Sequence, residues 1–169
     1  SSSFFADIDA AEMFLSYPLH STMRPYAGVD LTKVLNNPKG VKLWLRWNRC
    51  GMGFTFSPFN AVRGHSVGME HIMGDRKDSS NPFYWGSVIL NYPGTPAYNP
   101  TLPRVYKWNE IVQAIAGDQK TYVDDTRAIG HDEANCDALQ HQLESGMTYY
   151  DMQDAARKRR PSSQRQGAW

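Results

Sequence analysis

Residues 121–129 read Thr-Tyr-Val-Asp-Asp-Thr-Arg-Ala-Ile, and this stretch decides how the rest of the chain is interpreted. β-prone residues lie on both sides of the adjacent acids Asp124 and Asp125, so the sequence predicts a hairpin whose turn carries both carboxylates. Two carboxylates on one turn can be directed at metal ions, which suits phosphoryl transfer. The simpler alternative is a solvated turn that uses Asp because this residue tolerates tight backbone angles.

A further acid ends an apolar run near the beginning of the chain. Residues 4–9 read Phe-Phe-Ala-Asp-Ile-Asp, which is too short for a helix and predicts a buried strand with Asp9 at its end. Phe14 follows Asp9 by five residues. Asp9 is therefore a candidate partner for the two acids of the hairpin.

A helix is predicted to follow the glycine-containing segment 52–56. Ser57 is a good N-cap and Pro58 a good first helical residue, since proline lacks only an amide hydrogen that would be unpaired there. Within this helix, Gly64 and Gly68 either permit close approach of a strand or nucleotide or are simply tolerated. We expect the helix to run from Pro58 to about Met73, with one face made of Phe59, Val62, Ser66, Met69 and Met73.

The second half of the chain predicts an insertion, two helices and a final strand. Prolines between Pro82 and Pro103 break both periodicities, so residues 75 to about 106 are predicted to be a loop-rich insertion. Asp132 is the expected N-cap of a helix that ends near Gly146, and a strand is predicted at residues 147–152. A shorter amphipathic helix is expected earlier, before the strand that enters the hairpin. The short helix would carry Trp108, Ile111, Val112 and Ile115, and the later one Cys136, Leu139 and Leu143.

The composition is that of one folded domain. The chain has 169 residues, 41% of them hydrophobic and 12% aromatic, and no apolar stretch approaches the roughly 18 residues of a membrane span. Cys50 and Cys136 are too few for a disulfide framework, so we expect an intracellular protein of the cytoplasm or nucleus that is not secreted and has no membrane partner. Zinc is disfavoured, because the spacing does not place ligands on one helical face for His65, His71, His131, Cys136 and His141.

The net charge of +1 conceals an asymmetry. Residues 1–156 contain 13 basic and 17 acidic residues, a net charge of −4, whereas the segment 155–169 contains five basic residues and no acid. A mildly acidic body with a basic end fits metal-binding carboxylates together with phosphate contacts. A solvated basic tail or a nuclear-localisation patch explains the charge equally well.

Three segments, in this order, resemble the palm motifs of the reverse transcriptase family. The first has Asp9 at the end of a strand and the aromatic Phe14 five positions later. The second is the glycine turn 52–56 leading to Ser57-Pro58, and the third is Tyr122-Val123-Asp124-Asp125. The predicted element order of strand, helix, strand, strand, helix and strand is ferredoxin-like, as in the polymerase palm. The expected fold is α+β, a ferredoxin-like palm with an antiparallel sheet, helices on one face and a loop-rich insertion before the catalytic hairpin.

The resemblance implies an RNA-directed DNA polymerase that adds deoxynucleotides to a primer 3′-hydroxyl by two-metal nucleotidyl transfer. Its cofactor would be two Mg²⁺ ions, or Mn²⁺ in their place, bridged by the catalytic residues Asp9 and Asp124, with the catalytic residue Asp125 as a third ligand or as structural support beside them. Phe14 would be the steric gate that excludes a ribose 2′-hydroxyl. The other implied substrate-binding residues are Tyr122, Met52, Gly53, Ser57 and Lys158, the last in competition with Arg157, Arg159 and Arg160.

The implied partners are an RNA template, a DNA or RNA primer, deoxynucleoside triphosphates and the rest of a retrotransposon-like polyprotein. The chain departs from the family at Met52, where many members have Gln, and it lacks fingers and thumb. Residues 1–169 are therefore interpreted as an excised palm fragment that is inactive by itself. Trp169 would begin the primer-grip hairpin of the family, and Arg24 and Arg63 are candidate phosphate contacts.

Two other classes of protein remain open at this point. A decayed or domesticated retroelement remnant would keep the fold and bind nucleic acid or a protein without catalysis. Another palm-like metal enzyme, such as a nucleotide cyclase, predicts neither the Ser57-Pro58 helix start nor an aromatic residue at the position of Phe14.

Overall fold

A computed structural model describes residues 3–35, 41–152 and 162–164 of the chain. Within these ranges the protein is α+β, with small antiparallel sheets and two α-helices, neither of them long and apolar enough to cross a membrane. Lys158 and its competitors Arg157, Arg159 and Arg160 lie outside the described residues, as do Trp169 and most of the segment 155–169. The elements are β1 (Phe4–Asp9), β2 (Gly28–Asp30), β3 (Trp44–Arg46), α1 (Ser57–Met73), β4 (Ser87–Leu90), β5 (Val105–Asn109), β6 (Ala114–Ile115), β7 (Asp118–Tyr122), β8 (Asp125–Gly130) and α2 (Glu133–Tyr149).

The chain divides into two compact units. The sheet unit consists of Ser1–Ala11 and Val67–Trp169, and the ribbon unit consists of Glu12–Ser66. The sheet unit contains two three-stranded sheets and α2, whereas the ribbon unit contains the β2-β3 pair and two 3₁₀ turns, Met13–Ser16 and Arg24–Tyr26. Helix α1 begins in the ribbon unit and ends in the sheet unit.

The central sheet of the sheet unit is antiparallel, with the strand order β1-β8-β7. Because side chains alternate along a strand, Ala6 and Ile8 of β1 share a face with Ala128 and Thr126 of β8, and all four are buried. Helix α2 packs against β1 and β8 and covers this face. The predicted strand ending at Asp9 and the predicted hairpin are both confirmed, but the turn carries only Asp124, because Asp125 is the first residue of β8.

Helix α2 begins where the sequence predicts. Asp132 is the N-cap, and its side chain accepts a hydrogen bond from the Asn135 amide at 2.7 Å. A cap of this kind pairs one of the amide groups that otherwise lack a partner at a helix start. The predicted apolar face of Cys136, Leu139 and Leu143 is confirmed, since all three residues are 0% exposed.

The end of α2 differs from the prediction. The stop near Gly146 and the strand at residues 147–152 are wrong, because the helix continues to Tyr149. Ile72 lies against the glycine, where an added Cβ would come 2.5 Å from its Cγ1. Met147 then extends the buried stripe by one turn. Gly146 is therefore a packing residue inside the helix, and burial of the following turn outweighs its tendency to end a helix.

Helix α1 has nearly the predicted bounds, but only Met69 and Met73 of its predicted apolar face are buried. Phe59 is 67% exposed, and Val62 and Ser66 are exposed as well. Hydrophobic periodicity missed the buried face because small and polar residues occupy its first two turns. The buried positions are Ser57, Ala61, His65, Gly68, Met69, Ile72 and Met73.

The glycines of α1 permit close contacts with side chains. A Cβ at Gly64 would come 2.4 Å from Cε1 of Tyr17, which belongs to the same unit. A Cβ at Gly68 would come 2.9 Å from Cε of Met152, again within one unit. Gly64 is thus required by packing against the Tyr17 ring, whereas the neighbour of Gly68 is the end of a flexible side chain that can move aside. Burial beside the helix also raises the pKa of the Tyr17 hydroxyl.

The insertion before the hairpin contains regular structure that the sequence did not predict. β4, β5 and β6 form a second antiparallel sheet, so the residues 75–106 are not loop throughout. The helix predicted over residues 108–115 is wrong. β5 turns into β6 at Asn109, whose Oδ1 accepts hydrogen bonds from the amides of Ile111 and Val112. This side-chain turn interrupts the apolar spacing that favoured a helix.

The ribbon unit has a small core and a two-stranded ribbon. Every residue of β2 and β3 is exposed, so the ribbon has no fully buried face. The core consists of Leu19, Ala27 and Cys50, with Phe14, Tyr17, Phe54 and Phe56 packed against it. In the ribbon, Gly28 lies opposite Arg46, Val29 opposite Leu45, and Asp30 opposite Trp44.

Candidate functional site

The β7-β8 hairpin places the two adjacent acids differently. β7 ends at Tyr122 and β8 begins at Asp125, so only Val123 and Asp124 form the loop. Val123 has a φ of 57°, a left-handed conformation that is uncommon and strained for a β-branched residue. Strain of this kind persists only where the surrounding structure fixes the backbone, and it is concentrated at functional sites.

Pairing of β1 with β8 brings Asp9 directly opposite Asp125. The next residue, Ala10, donates its amide hydrogen to the Asp124 carbonyl at 3.0 Å. In an antiparallel pair, hydrogen-bonded and non-hydrogen-bonded positions alternate, so Asp9 and Asp125 form a non-hydrogen-bonded pair. Side chains are closest in such pairs, at Cβ separations of about 4.5–5.5 Å, and they lie on the same face. Two acids that are 116 positions apart in sequence thus become neighbours.

Tyr122 completes a row of three residues across the end of the sheet. It lies opposite Asp125 on β7, and it is 70% exposed. The adjacent row on the same face consists of Asp7, Arg127 and Lys120. The end of the sheet therefore presents two acids and a phenol, and the row behind it presents two cations and one acid.

The Asp7-Arg127 pair ties β1 to β8 next to the acidic row. Arg127 donates from Nε to one oxygen of Asp7 at 2.6 Å and from Nη2 to the other at 3.0 Å. The Arg127 side chain is only 7% exposed, and its guanidinium lies 5.7 Å from the centre of the Phe5 ring. Two parallel hydrogen bonds of this kind are strong and directional. They hold the strands in the register that sets Asp9 against Asp125.

The facing acids have the donor chemistry of a divalent-cation site. Like charges directly opposite each other on neighbouring strands are destabilising, by up to about 1 kcal/mol, and a bound cation would remove this repulsion. Carboxylate oxygens are the ligands that Mg²⁺ prefers, so Asp9 and Asp125 fit such an ion in type and in pairing. Asp124 lies in the adjoining loop. Across residues 3–35, 41–152 and 162–164, no three His, Cys, Asp or Glu side chains already stand together as a metal-binding group.

Two of the residues assigned to the nucleotide by resemblance line one cavity in the ribbon unit. Phe14 and Met52 both border this cavity, which has a volume of about 470 Å³ and predominantly apolar walls. Met52 is 86% exposed. Trp47 and Phe54 contribute further aromatic surface, and Glu12 is the acid among the lining residues. An aromatic-lined cavity of this size is suited to a flat organic group such as a nucleobase with its sugar.

The other predicted substrate-binding residues have structural surroundings of their own. Gly53 has a φ of 92°, which a non-glycine residue would rarely adopt, and it forms part of the turn before α1. Ser57 is 0% exposed, and its Oγ has no hydrogen-bond partner in the described part of the chain. It is the first residue of α1, so the predicted N-cap hydrogen bond is not observed. Arg24 donates to the Leu19 carbonyl at 3.1 Å, and Arg63 is exposed.

Sequence reasoning missed Asp7, Arg127 and Glu12. Asp7 has the same parity as Asp9 along β1, and this alternation was a signal that the two acids share a face. Arg127 likewise lies two positions from Asp125 along β8, so these two side chains also share a face. Glu12 has a φ of 50°, which no sequence pattern indicated.

Comparison with known proteins adds no relative. No protein-family model matches the sequence, and no curated protein matches it either.

Proposed function

We propose that this chain is the palm of an RNA-directed DNA polymerase, which transfers deoxynucleotides to a primer 3′-hydroxyl with the help of two Mg²⁺ ions. The observation that carries the proposal is the position of Asp9 directly opposite Asp125, with Asp124 in the loop beside them. Strand pairing thus brings an acid of the first motif next to an acid of the third, which is the kind of convergence that the palm resemblance implies. The strained loop at Val123 is a second sign that this backbone is held for function.

The strand order supports a ferredoxin-like palm. In the β1-β8-β7 sheet, the first strand of the motif order lies next to the second strand of the hairpin. Ser163 forms a two-way backbone bridge with Phe5, at 2.9 and 3.0 Å, on the edge of β1 that β8 does not occupy. The segment 162–164 therefore pairs with this edge of β1, where a palm has its fourth strand.

The side chains have distinct roles in the proposed reaction. Asp9 and Asp125 would hold the ions between opposed carboxylates, and Asp124 would contribute from the loop. When bound, two divalent ions favour ionisation of the 3′-hydroxyl and offset the charge of the triphosphate. As the resemblance implies, Phe14 would be the gate against a 2′-hydroxyl and Met52 a nucleotide contact, and both line the cavity of the ribbon unit. Asp7 and Arg127 would position the acids without contacting substrate.

The test is primer extension on an RNA template by the complete reading frame that contains this chain. Asp124→Asn should lower the rate at least about 100-fold, since a lost metal ligand removes several kcal/mol of charge stabilisation. Asp137→Asn, on the exposed side of α2, is the matched control and should retain activity. Extension that persists at the wild-type rate in Asp124→Asn would exclude the proposed function.

A nucleic-acid-binding remnant without catalysis is the second candidate. It is favoured by the basic character of the ribbon unit, in which seven Lys or Arg residues accompany two acids. Such a protein would bind nucleic acid and show no Mg²⁺-dependent extension in the complete reading frame. Stop codons on both sides of the segment in its gene would favour this candidate, whereas intact fingers and thumb would favour the enzyme.

A further inference from the structure

Charge is distributed unevenly between the two units. The ribbon unit, Glu12–Ser66, has a net charge of +5, from seven basic and two acidic residues. The rest of the chain contains 11 basic and 15 acidic residues, a net charge of −4. The whole-chain value of +1 therefore conceals a strongly basic unit, and the segment 155–169 is not the sole basic part of the sequence. Concentrated positive charge attracts polyanions and accelerates their binding.

Basic residues flank an exposed aromatic ring on the β2-β3 ribbon. Side chains at every second position share a face, so Lys42, Trp44 and Arg46 point the same way. Lys42 precedes β3, and the hydrogen bond from the Leu31 amide to the Leu43 carbonyl, at 2.8 Å, continues the register up to the residue beside Lys42. All three side chains are exposed, and Trp44 is 63% exposed. They form what we call the Lys42-Trp44-Arg46 face.

The Trp44 ring is supported on one side and open on the other. A Cβ at Gly28 would come 3.3 Å from Cε3 of the indole, so the ring lies against the backbone of β2. A side chain supported in this way loses less conformational entropy on binding than a free one. Its open π face is available for stacking on a flat partner.

One acid lies on the same face, and it is held by its own loop. Asp30 accepts a hydrogen bond from the Thr32 amide at 2.9 Å. Hydrogen bonds from the Thr32 hydroxyl and amide lower the pKa of Asp30, so it remains charged and offsets one of the two cations. Lys42 and Arg46 therefore leave the face with a positive charge.

The opposite face of the ribbon is apolar. Val29 and Leu45 are directly opposed there, and Leu31 and Leu43 continue the same face. Val29 also borders the cavity that contains Phe14. Positive charge and the open indole are thus confined to one side of the ribbon.

We propose that the Lys42-Trp44-Arg46 face binds single-stranded nucleic acid, with the indole stacked on a base and the two cations on phosphates to either side. A two-residue step along a strand is about 6.8 Å, comparable with the separation of successive phosphates in an extended chain. An acidic protein or an anionic membrane would also match the charge, and we favour single-stranded nucleic acid because Trp44 lies against Gly28 and presents its other π face to a stacking partner. The inference concerns binding alone and does not rest on the metal chemistry of the proposed function.

The test measures fluorescence anisotropy of labelled oligouridylate and oligothymidylate of about 16 nucleotides, the upper range of single-strand sites. The full chain should bind both. Trp44→Leu should weaken binding about 5- to 150-fold, the effect of losing one stacked base. Lys42→Gln combined with Arg46→Gln should reduce the slope of log affinity against log salt by about 1.4, since each single-strand phosphate contact contributes about 0.7.

Control variants in the sheet unit test whether binding depends on this face or only on the total number of basic and aromatic residues. Arg104→Gln and Tyr98→Leu each change an exposed residue of the insertion and should leave affinity and salt slope unchanged. If Trp44→Leu lowers the melting temperature, the charge variant alone carries the test, because it leaves the contact with Gly28 intact. Asp124→Asn should keep wild-type oligonucleotide affinity even where it abolishes extension, so failure of the proposed function remains distinguishable.

Three outcomes would overturn the inference. The first is ribbon variants that bind oligonucleotides as the controls do. The second is a wild-type affinity for duplex equal to that for single strands, together with an affinity that Trp44→Leu leaves unchanged. The third is loss of binding to phosphatidylserine vesicles in the ribbon variants without any loss of oligonucleotide affinity, which would assign the face to a membrane.

Discussion

The central β1-β8-β7 sheet and the β2-β3 ribbon are both antiparallel, yet only the sheet has a face buried beneath a helix. Its buried face fixes the register, because a slip of one residue would turn Ala6 and Ile8 outward. The opposed acids Asp9 and Asp125 are therefore held together despite their repulsion. In the ribbon, backbone pairing and the contact of Trp44 with Gly28 set the register without a buried face, and the charges alternate with apolar residues. The buried face therefore fixes side-chain positions more firmly in the sheet than in the ribbon, and the candidate metal site lies on the sheet.

The largest expected difference is in the free energy of unfolding lost when a buried leucine of the sheet unit or an exposed leucine of the ribbon is replaced by alanine. Leu139→Ala should lower the free energy of unfolding by about 2–5 kcal/mol, because a fully buried side chain is lost beneath the sheet. Leu45→Ala in the ribbon, where the side chain is 48% exposed, should cost about 0.5 kcal/mol or less. Urea unfolding of the full chain measures both. Equal losses would contradict the view that only the sheet depends on a buried face.

The Asp7-Arg127 pair is expected to come second. Asp7→Ala should cost about 2 kcal/mol, because it leaves the Arg127 guanidinium nearly buried without its carboxylate. Asp118→Ala breaks a comparable but more exposed pair with Lys107 and should cost under about 1 kcal/mol. Both values come from urea unfolding at low salt. If Asp7→Ala costs no more than Asp118→Ala, the pair does not hold the register.

In the strained loop between β7 and β8, a substitution is expected to increase stability. Val123→Gly should raise the free energy of unfolding by up to about 1 kcal/mol, since glycine adopts a positive φ without the Cβ clash, even after its entropy cost. Val105→Gly is the matched control, because Val105 is an exposed strand residue with no positive φ, and it should lose about 1 kcal/mol. A destabilised Val123→Gly would show that the loop is not strained.

The smallest effect concerns repulsion between the facing acids. In the presence of a chelator, Asp9→Asn should raise stability by about 0.5 kcal/mol, because one of two opposed charges is removed. Added Mg²⁺ should raise the melting temperature of the wild type and have less effect on Asp9→Asn. Asp137→Asn should respond to Mg²⁺ as the wild type does. An identical Mg²⁺ response in Asp9→Asn would remove this pair from the candidate site.

Local signals predicted many of the elements correctly. The strand ending at Asp9, the hairpin at residues 122–125 and the cap at Asp132 each depend on residues close in sequence, and the structure agrees with them. One failure was decided by a distant residue, and the other by a nearby polar side chain that the apolar spacing ignores. Ile72 packs on Gly146 and lets α2 continue, and the Asn109 side chain replaces a predicted helix with a turn.

The candidate site divides in the same way. Its acids were named from the chain, because Asp124 and Asp125 form one motif and Asp9 ends a strand. The register that pairs them could not be predicted. Alternation along a strand fixes the face of each side chain, but it does not identify a partner more than one hundred residues away in sequence. Asp7 and Arg127 were missed for that reason.

The sequence by itself determined where the chain forms β1, the hairpin and the start of α2, because short-range propensity and capping act within a few residues. It also determined the supply of acids and of basic and aromatic residues. Only the tertiary structure decided that Asp9 lies opposite Asp125, that α2 runs through Gly146, and that Lys42, Trp44 and Arg46 share an exposed face. Strand pairing and burial depend on contacts between distant residues, and these contacts exist only in the folded chain.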